Sequence, residues 1–246
     1  MKRGRPAAIA GILALLLLLT GAGAMAAQQA RTFLSGVKAY DEGNYQQAIA
    51  SFLELAEGGI QNGKLFYNLG NAYLKSNDLG HALLWYERAL RLIPGDPDLK
   101  FNYAYAAGLL KDKREDSAPG IYRILFFWKY LLSRGTVLWL AVGLNMVFWL
   151  FMIARNIRRR RLLRHACLVL APFVVLFALT ALYEYYAAAH MRQAVVLEDR
   201  VAVRSGFSET ATELFVLHAG TRVRVEQQRK GFWRICFSAD KIGWIR

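Results

Sequence analysis

The chain has 246 residues, of which 55% are hydrophobic and 20% are charged, and it carries a formal net charge of +14. A chain of this length holds one or two domains. Six arginines lie within residues 155–164, between two apolar runs. A large part of the positive charge therefore lies where membrane proteins carry it and does not indicate a nucleic-acid-binding surface. Once these runs and the apolar N-terminus are set aside, only small modules remain.

The N-terminus is typical of an export signal. Lys2, Arg3 and Arg5 precede an apolar run over residues 9–19, and Ala24-Met25-Ala26 supplies the small residues that a signal peptidase recognises. We expect a signal peptide over residues 1–26, with an uncleaved membrane anchor as the alternative. In either case the residues that follow are exported.

Residues 29–96 contain an internal repeat of 34 residues, in which Gly36, Ala48 and Phe52 recur as Gly70, Ala82 and Tyr86. The spacing resembles the tetratricopeptide repeat, which is a pair of antiparallel helices. In residues 63–96, the motif positions carry residues of the expected size: Phe66, Leu69, Gly70, Tyr73, Ala82, Tyr86, Ala89 and Pro94. Residues 29–62 match the motif less well, and residues 98–110 are expected to form a helix that caps the array.

The resemblance implies a binding groove along the first helix of each repeat. The residues expected to face it are mostly aromatic and uncharged: Phe33, Val37, Tyr40, Tyr67, Asn71, Leu74, Phe101 and Tyr105. Repeats that clamp a C-terminal carboxylate need lysine, arginine and asparagine in this groove, and here only Asn68 matches. We therefore expect an apolar protein segment as ligand, although some of these aromatic residues could instead serve packing between repeats.

Residues 111–135 are predicted to be a charged linker followed by an interfacial helix. Residues 111–120 are charged and turn-forming, whereas residues 121–132 mix Arg123 and Lys129 with aromatic side chains. Such a segment suits the membrane–water boundary. A soluble packing helix is the alternative.

Two transmembrane helices are predicted, over residues 136–154 and 166–189. The first run has no formal charge for 19 residues, enough to cross the hydrocarbon of a bilayer. The loop between them, residues 155–165, should be cytoplasmic because of its arginines: Arg155, Arg158, Arg159, Arg160, Arg161 and Arg164. The alternative, two buried helices of a soluble protein, would have to hide both runs and still find partners for these arginines.

The remaining residues, 193–246, alternate in polarity and predict six short strands in a small all-β barrel. The pattern resembles the bacterial SH3-type domain at seven motif residues: Val203, Arg204, Ser205, Gly206, Trp233, Gly243 and Trp244. Ala202 and Phe207 depart from the usual asparagine and proline. The resemblance implies binding of a cell-wall peptide or a partner protein, although both tryptophans could be core residues instead.

Catalytic motifs are not evident in the sequence. The four histidines are scattered over different modules, without an HExxH motif, a P-loop or a GxSxG motif. Cys167 lies in the second apolar run and Cys236 in a predicted strand, so a disulfide between them is not expected. We expect no enzyme activity, no cofactor and no metal site.

The order of the modules resembles that of the BatE-type proteins of bacterial aerotolerance operons. Such proteins are similar to scaffolds that accompany von Willebrand factor A-domain membrane proteins and a MoxR-type ATPase. The resemblance implies a non-enzymatic adaptor of the bacterial inner membrane, with both soluble modules on the periplasmic side and with proteins and membrane lipid as partners. The alternative is a peptidoglycan-binding module that recruits a cell-wall enzyme.

Overall fold

The structure, a computed structural model, describes residues 23, 25–112, 127–158, 160–190, 192–238 and 240–246. Nearly all of the predicted signal peptide, most of the predicted linker and the first half of the predicted interfacial helix lie outside the described residues.

The described residues of the N-terminal half form an array of five helices. They are α1 (residues 25–41), α2 (Tyr45–Glu57), α3 (Gly63–Lys75), α4 (Leu79–Leu92) and α5 (Pro97–Gly108). Side chains of Asn62, Asp78 and Asp96 accept hydrogen bonds from backbone N–H groups in the first turns of α3, α4 and α5, which fixes where these helices begin. The predicted helical repeats are confirmed.

The two repeats share one packing geometry. Gly43 and Asn77, 34 residues apart, both adopt a positive φ in the turn between the paired helices, a conformation that glycine and asparagine tolerate best. A Cβ atom at Gly36 would lie 2.6 Å from Phe52 Cε1, and one at Gly70 would lie 2.5 Å from Tyr86 Cδ1. Each pair of helices therefore crosses where a glycine faces an aromatic ring.

Most of the motif positions of the second repeat form the core of the array. The buried ones are Phe66, Leu69, Gly70, Ala82, Tyr86 and Ala89, whereas Tyr73 and Pro94 are half-buried. Phe66 packs against Trp85 with 5.2 Å between ring centroids. The repeat spacing in the sequence thus reflects side chains that are enclosed between helices.

Two long apolar helices follow, α6 (Arg134–Arg158) and α7 (Arg161–His190). Both are long and apolar enough to cross a membrane, and only 6% and 11% of their most apolar stretches are buried. The predicted arginine loop is largely helical, because α6 continues to Arg158 and α7 starts at Arg161. Arginine is a good helix former, and neither residues 144–158 nor residues 161–171 contain a glycine or proline that would interrupt a helix.

The described end of the predicted interfacial helix is a short 3-10 helix, Phe127–Tyr130. This short helix is not continuous with α6, since residues 131–133 between them are not helical. Ser133 Oγ accepts a hydrogen bond from Thr136 N and so caps the start of α6.

The described residues of the C-terminal part form a six-stranded antiparallel sheet. The strands were predicted, whereas the closed SH3-type barrel stays a prediction. The strands of the sheet are β1 (Arg192–Val195), β2 (Val201–Arg204), β3 (Glu213–Leu217), β4 (Arg222–Arg229), β5 (Phe232–Ser238) and β6 (Lys241–Ile245), in the order β1-β4-β5-β6-β2-β3. Buried Val203, Leu217, Val223 and Ile235 form its core. β6 approaches β2 closely, since a Cβ atom at Gly243 would lie 2.5 Å from Val203 Cγ1.

The start of α6 and the end of α7 lie together against α4. Arg134 Nε is 3.2 Å from Glu184 Oε2, joining the two helices at this end. Val137, in the first turn of α6, is 3% exposed, and Leu90 and Arg91 of α4 line a small cavity beside it. The helix array therefore contacts one end of the α6–α7 hairpin, and the arginine-rich turn is at the other end.

Candidate functional site

An aromatic surface lies on the last helix of the array. Phe101 and Tyr105 are one turn apart on α5 and are 73% and 59% exposed. Both belong to the predicted groove. Large aromatic side chains that remain in water on a folded surface are typical of places where proteins bind one another.

A hydrogen-bonded cluster connects α3, α4 and α5 beside this surface. Tyr86 Oη donates to Asn71 Oδ1 at 2.6 Å, and Asn102 Nδ2 lies 2.9 Å from Tyr67 Oη and 3.0 Å from Asn71 Oδ1. Burial raises the pKa of the Tyr86 hydroxyl, with smaller contributions from neighbouring Tyr67 and Tyr40, so the hydroxyl remains a neutral donor. The cluster holds the three helices in one register.

Asn102 was not among the predicted groove residues. By the repeat register it stands at a position of the carboxylate-binding pattern, but asparagine does not match the residue expected there, so the sequence offered no reason to choose it. The structure shows the Asn102 amide bonded to Tyr67 and Asn71 instead.

The other predicted groove residues lie closer to the core. Phe33, Val37, Tyr40, Tyr67 and Leu74 are half-buried and pack against the core of the helix array. Phe33, for example, stacks at a tilt on Phe52, with 5.6 Å between ring centroids. These side chains connect helices, and Phe101 and Tyr105 provide most of the exposed aromatic area.

The residues of the predicted SH3-type motif lie mainly at structural positions of the sheet. Val203 is fully buried, Trp233 packs against the core, and Arg204 Nη1 donates to Ala211 O at 2.9 Å across the following turn. Ser205 N donates to Thr212 O at 2.9 Å in the same turn, in which Gly206 is half-buried.

An aromatic and cationic patch forms between β6, the turn after β2 and the turn after β4. The half-buried Trp244 contacts Phe207 edge to face, with 5.5 Å between centroids, and Phe207 is 40% exposed. Lys230 Nζ lies 5.7 Å from the Phe207 ring centroid, within cation–π range.

A polar contact joins the helix array to the sheet. Asp112 Oδ2 accepts from His218 N at 2.7 Å and from Thr221 Oγ1 at 2.8 Å, and Asp112 Oδ1 lies 3.0 Å from His218 Nδ1. Burial acts to raise the pKa of the Asp112 carboxyl, but the hydrogen bonds from Thr221 and His218 outweigh it and lower this pKa. Asp112 therefore stays ionised in the contact.

A second set of contacts lies nearby, on α4. Glu87 Oε1 accepts from Tyr103 Oη at 2.6 Å and from Arg222 Nη1 at 2.9 Å. Apolar residues complete the contact, since Val195 packs against the core of the array and a Cβ atom at Gly220 would lie 2.6 Å from Leu110 Cδ2. The sheet thus sits on α4 and on the residues after α5, and the aromatic rings of Phe101 and Tyr105 remain exposed.

The arginines predicted to set topology lie at the far end of the hairpin. Arg155 and Arg158 end α6, Arg160 lies in the turn, and Arg161 and Arg164 begin α7. Arg159 lies outside the described residues. Both cysteines are free and buried.

Metal ligands do not come together in the described part of the chain. No group of three or more histidine, cysteine, aspartate or glutamate side chains among these residues has the arrangement of a metal site.

Comparison with known proteins identifies one part of the helix array. Residues 63–96 match the family model described as tetratricopeptide repeat, and a search of curated proteins finds no match. The matched residues include α3 and α4, the pair in which Gly70 faces Tyr86. The chain therefore contains a tetratricopeptide repeat, a type of module that typically binds other proteins and does not catalyse reactions.

Proposed function

We propose that this protein is a non-enzymatic, membrane-anchored scaffold that holds an apolar segment of another protein against the first helices of its repeats. The observation that carries this proposal is the exposure of Phe101 and Tyr105 beside a hydrogen-bonded cluster that fixes α5 against α3 and α4. Rigid aromatic side chains bind apolar segments with little loss of conformational entropy.

The helices α6 and α7 are the proposed anchor. A core helix of a soluble protein is mostly buried, whereas the apolar stretches of these helices are almost entirely unburied, with Trp139 74% exposed and Leu168 64% exposed. Lipid is the environment that suits such a surface. With the arginine-rich turn in the cytoplasm, the repeats and the sheet would lie outside the inner membrane, on the periplasmic side of a bacterial cell.

The sheet is proposed to be an SH3-type module with a second partner. Holding two binding modules at one membrane surface raises the effective concentration of one partner near the other. The proposed partners, which rest on the resemblance to BatE-type proteins, are von Willebrand A-domain membrane proteins and a MoxR-type ATPase system.

Photo-crosslinking tests the groove in the intact chain in its own membranes. A photoreactive phenylalanine analogue replaces Phe101 in one variant and Tyr105 in another, and Glu54 on the exposed side of α2 serves as the matched control. We expect a discrete protein adduct from positions 101 and 105 and not from position 54. Equal adducts at all three positions, or none at any, would contradict the groove.

The patch of Phe207, Trp244 and Lys230 favours a second candidate, a peptidoglycan-binding module that recruits a cell-wall enzyme. Sedimentation of the full chain with purified cell wall tests it. The second candidate predicts that Trp244→Ala weakens sedimentation and that Phe101→Ala does not. Sedimentation that is equal for both variants and the unaltered chain would contradict it.

A further inference from the structure

An open cleft of about 640 Å³ lies at the arginine-rich end of the α6–α7 hairpin, and its size is typical of small-ligand sites. Its apolar wall consists of Trp149, Met152 and Ile153 on α6. Its polar wall consists of Asn156 and four arginines: Arg155, Arg160, Arg161 and Arg164.

The cleft gathers positive charge that carboxylates do not balance. Residues 117–183 contain no aspartate or glutamate. Within the described ranges, none of the four arginines forms an ion pair with a carboxylate, and Arg155 Nη1 contacts the Met152 sulfur at 3.7 Å. Four guanidinium groups around one cleft repel each other, so an anion bound among them would be strongly favoured.

Along the hairpin, the polar wall lies at the turn and the apolar wall lies farther from it. The headgroup and the acyl chains of a phospholipid follow each other in the same order along the bilayer normal. Trp149 precedes Arg155 by six residues on α6, which corresponds to roughly 9 Å along the helix axis. Trp149 is 56% exposed and Ile153 is 55% exposed, so the apolar wall is open to acyl chains. A phosphate ion alone would leave this wall without a partner.

We propose that this cleft binds the headgroup of an anionic phospholipid, with the phosphate among the arginines and the glycerol and upper acyl chains against Trp149 and Ile153. Guanidinium groups hold phosphate oxygens through paired hydrogen bonds, which a lysine ammonium cannot do. Basic clefts between membrane helices on the cytoplasmic side are suited to this ligand. The proposal rests on the membrane insertion proposed above.

Native mass spectrometry of the full chain tests the site. The chain is released from nanodiscs that contain equal amounts of phosphatidylglycerol and phosphatidylethanolamine with the same acyl chains. The unaltered chain should retain phosphatidylglycerol preferentially. Arg161→Gln should lower this preference about tenfold, because it removes one paired contact to the phosphate. Arg161→Lys should be intermediate, since it keeps the charge and loses the paired geometry.

Arg158→Gln is the matched control, because Arg158 lies near Arg161 but does not line the cleft. It removes the same charge and should change the preference by no more than roughly twofold, since it alters only a screened surface potential. An equal loss in Arg158→Gln and Arg161→Gln would mean diffuse attraction to anionic lipid and would overturn the site.

Two further measurements separate the other possibilities. Inorganic phosphate, titrated by calorimetry onto the chain in phosphatidylcholine nanodiscs, should not bind. If phosphate binds and this binding is lost in Arg161→Gln, the cleft is a site for a free anion, and the proposal that a lipid occupies it is overturned. Alkaline carbonate extraction reports insertion separately. A carbonate-resistant chain with no lipid preference refutes the cleft alone, whereas a carbonate-soluble chain refutes the anchor as well.

Discussion

The closest packing in the helix array predicts the effect of a single methyl group at Gly70. In Gly70→Ala, the added Cβ would lie 2.5 Å from Tyr86 Cδ1 and 2.6 Å from Cε1. Ordinary contacts between carbon atoms are about 3.5–4.0 Å, so the helices or the ring must move by about 1 Å. Tyr86 is fully buried, and its hydroxyl is bonded to Asn71, so moving the ring weakens that hydrogen bond.

The expected change in the free energy of unfolding combines two destabilising effects and one stabilising effect. Overpacking a core costs about 1–3 kcal/mol, and the weakened hydrogen bond costs about 1 kcal/mol more. Alanine offsets this by about 1 kcal/mol because it favours the helix over glycine. We expect the free energy of unfolding of the repeat to fall by about 1–3 kcal/mol in Gly70→Ala, and by more in Gly70→Leu, which should unfold the repeat.

Amide hydrogen exchange of the full chain measures this locally. The slowest amides of α3 and α4 should exchange about 5- to 150-fold faster in Gly70→Ala. Gly36→Ala should act similarly through Phe52, whereas Gly108→Ala should not, because no atom outside its own helix backbone and adjacent residues lies within 4 Å of the added Cβ. Unchanged exchange in Gly70→Ala, or the same result as in Gly108→Ala, would refute the packing argument.

Three further predictions concern the contacts of the sheet, the groove and the hairpin. Asp112→Asn should speed amide exchange where the sheet meets the helix array. In the unaltered chain the stabilisation by Asp112 is present above the ordinary carboxyl pKa of about 3.9 and is lost as the pH falls through the lowered pKa of Asp112. Amide exchange that changes neither with the substitution nor with this fall in pH would contradict the role of Asp112. Phe101→Ala should change the free energy of unfolding by less than about 0.5 kcal/mol because the ring is exposed. Leu99→Ala, at a fully buried position on the same helix, should lower it by about 2–5 kcal/mol. Equal losses of stability for the two variants, measured by amide exchange, would place Phe101 in the core. A membrane-impermeant thiol reagent should label Lys111→Cys and not Arg159→Cys in intact cells, and the reverse pattern would invert the proposed topology.

The helix array was predictable because its closest contacts repeat along the chain. Small residues at positions 36 and 70 and aromatic residues at positions 52 and 86 are required by one geometry used twice. A core position that is enclosed between two helices tolerates few residue sizes, so the sequence retains the pattern. The strands of the sheet were found for a similar reason, since covered and exposed residues alternate over the first half of β4, as expected of a strand with one covered face.

The position of the sheet on the array was not predictable. Asp112 contacts His218 across 106 residues, and it stands in a charged run that is typical of a solvated linker. A contact formed once leaves no periodicity in the sequence. The repeat register likewise shows which residues share a face but not how deeply Phe33 or Tyr40 is covered by neighbouring helices, so their part in a groove stays a prediction.

The contacts on α4 determine how a bound segment would be presented. The sheet packs on α4 through Glu87 and on the residues after α5 through Asp112, and the ends of the hairpin pack on α4 near Leu90. Because both contacts leave Phe101 and Tyr105 exposed, neither has to open for a ligand to bind. With the hairpin inserted as proposed, a segment held on these rings would therefore lie at a fixed height and orientation beside the bilayer, as a scaffold requires, and would not depend on a flexible tether to reach a second partner on the sheet.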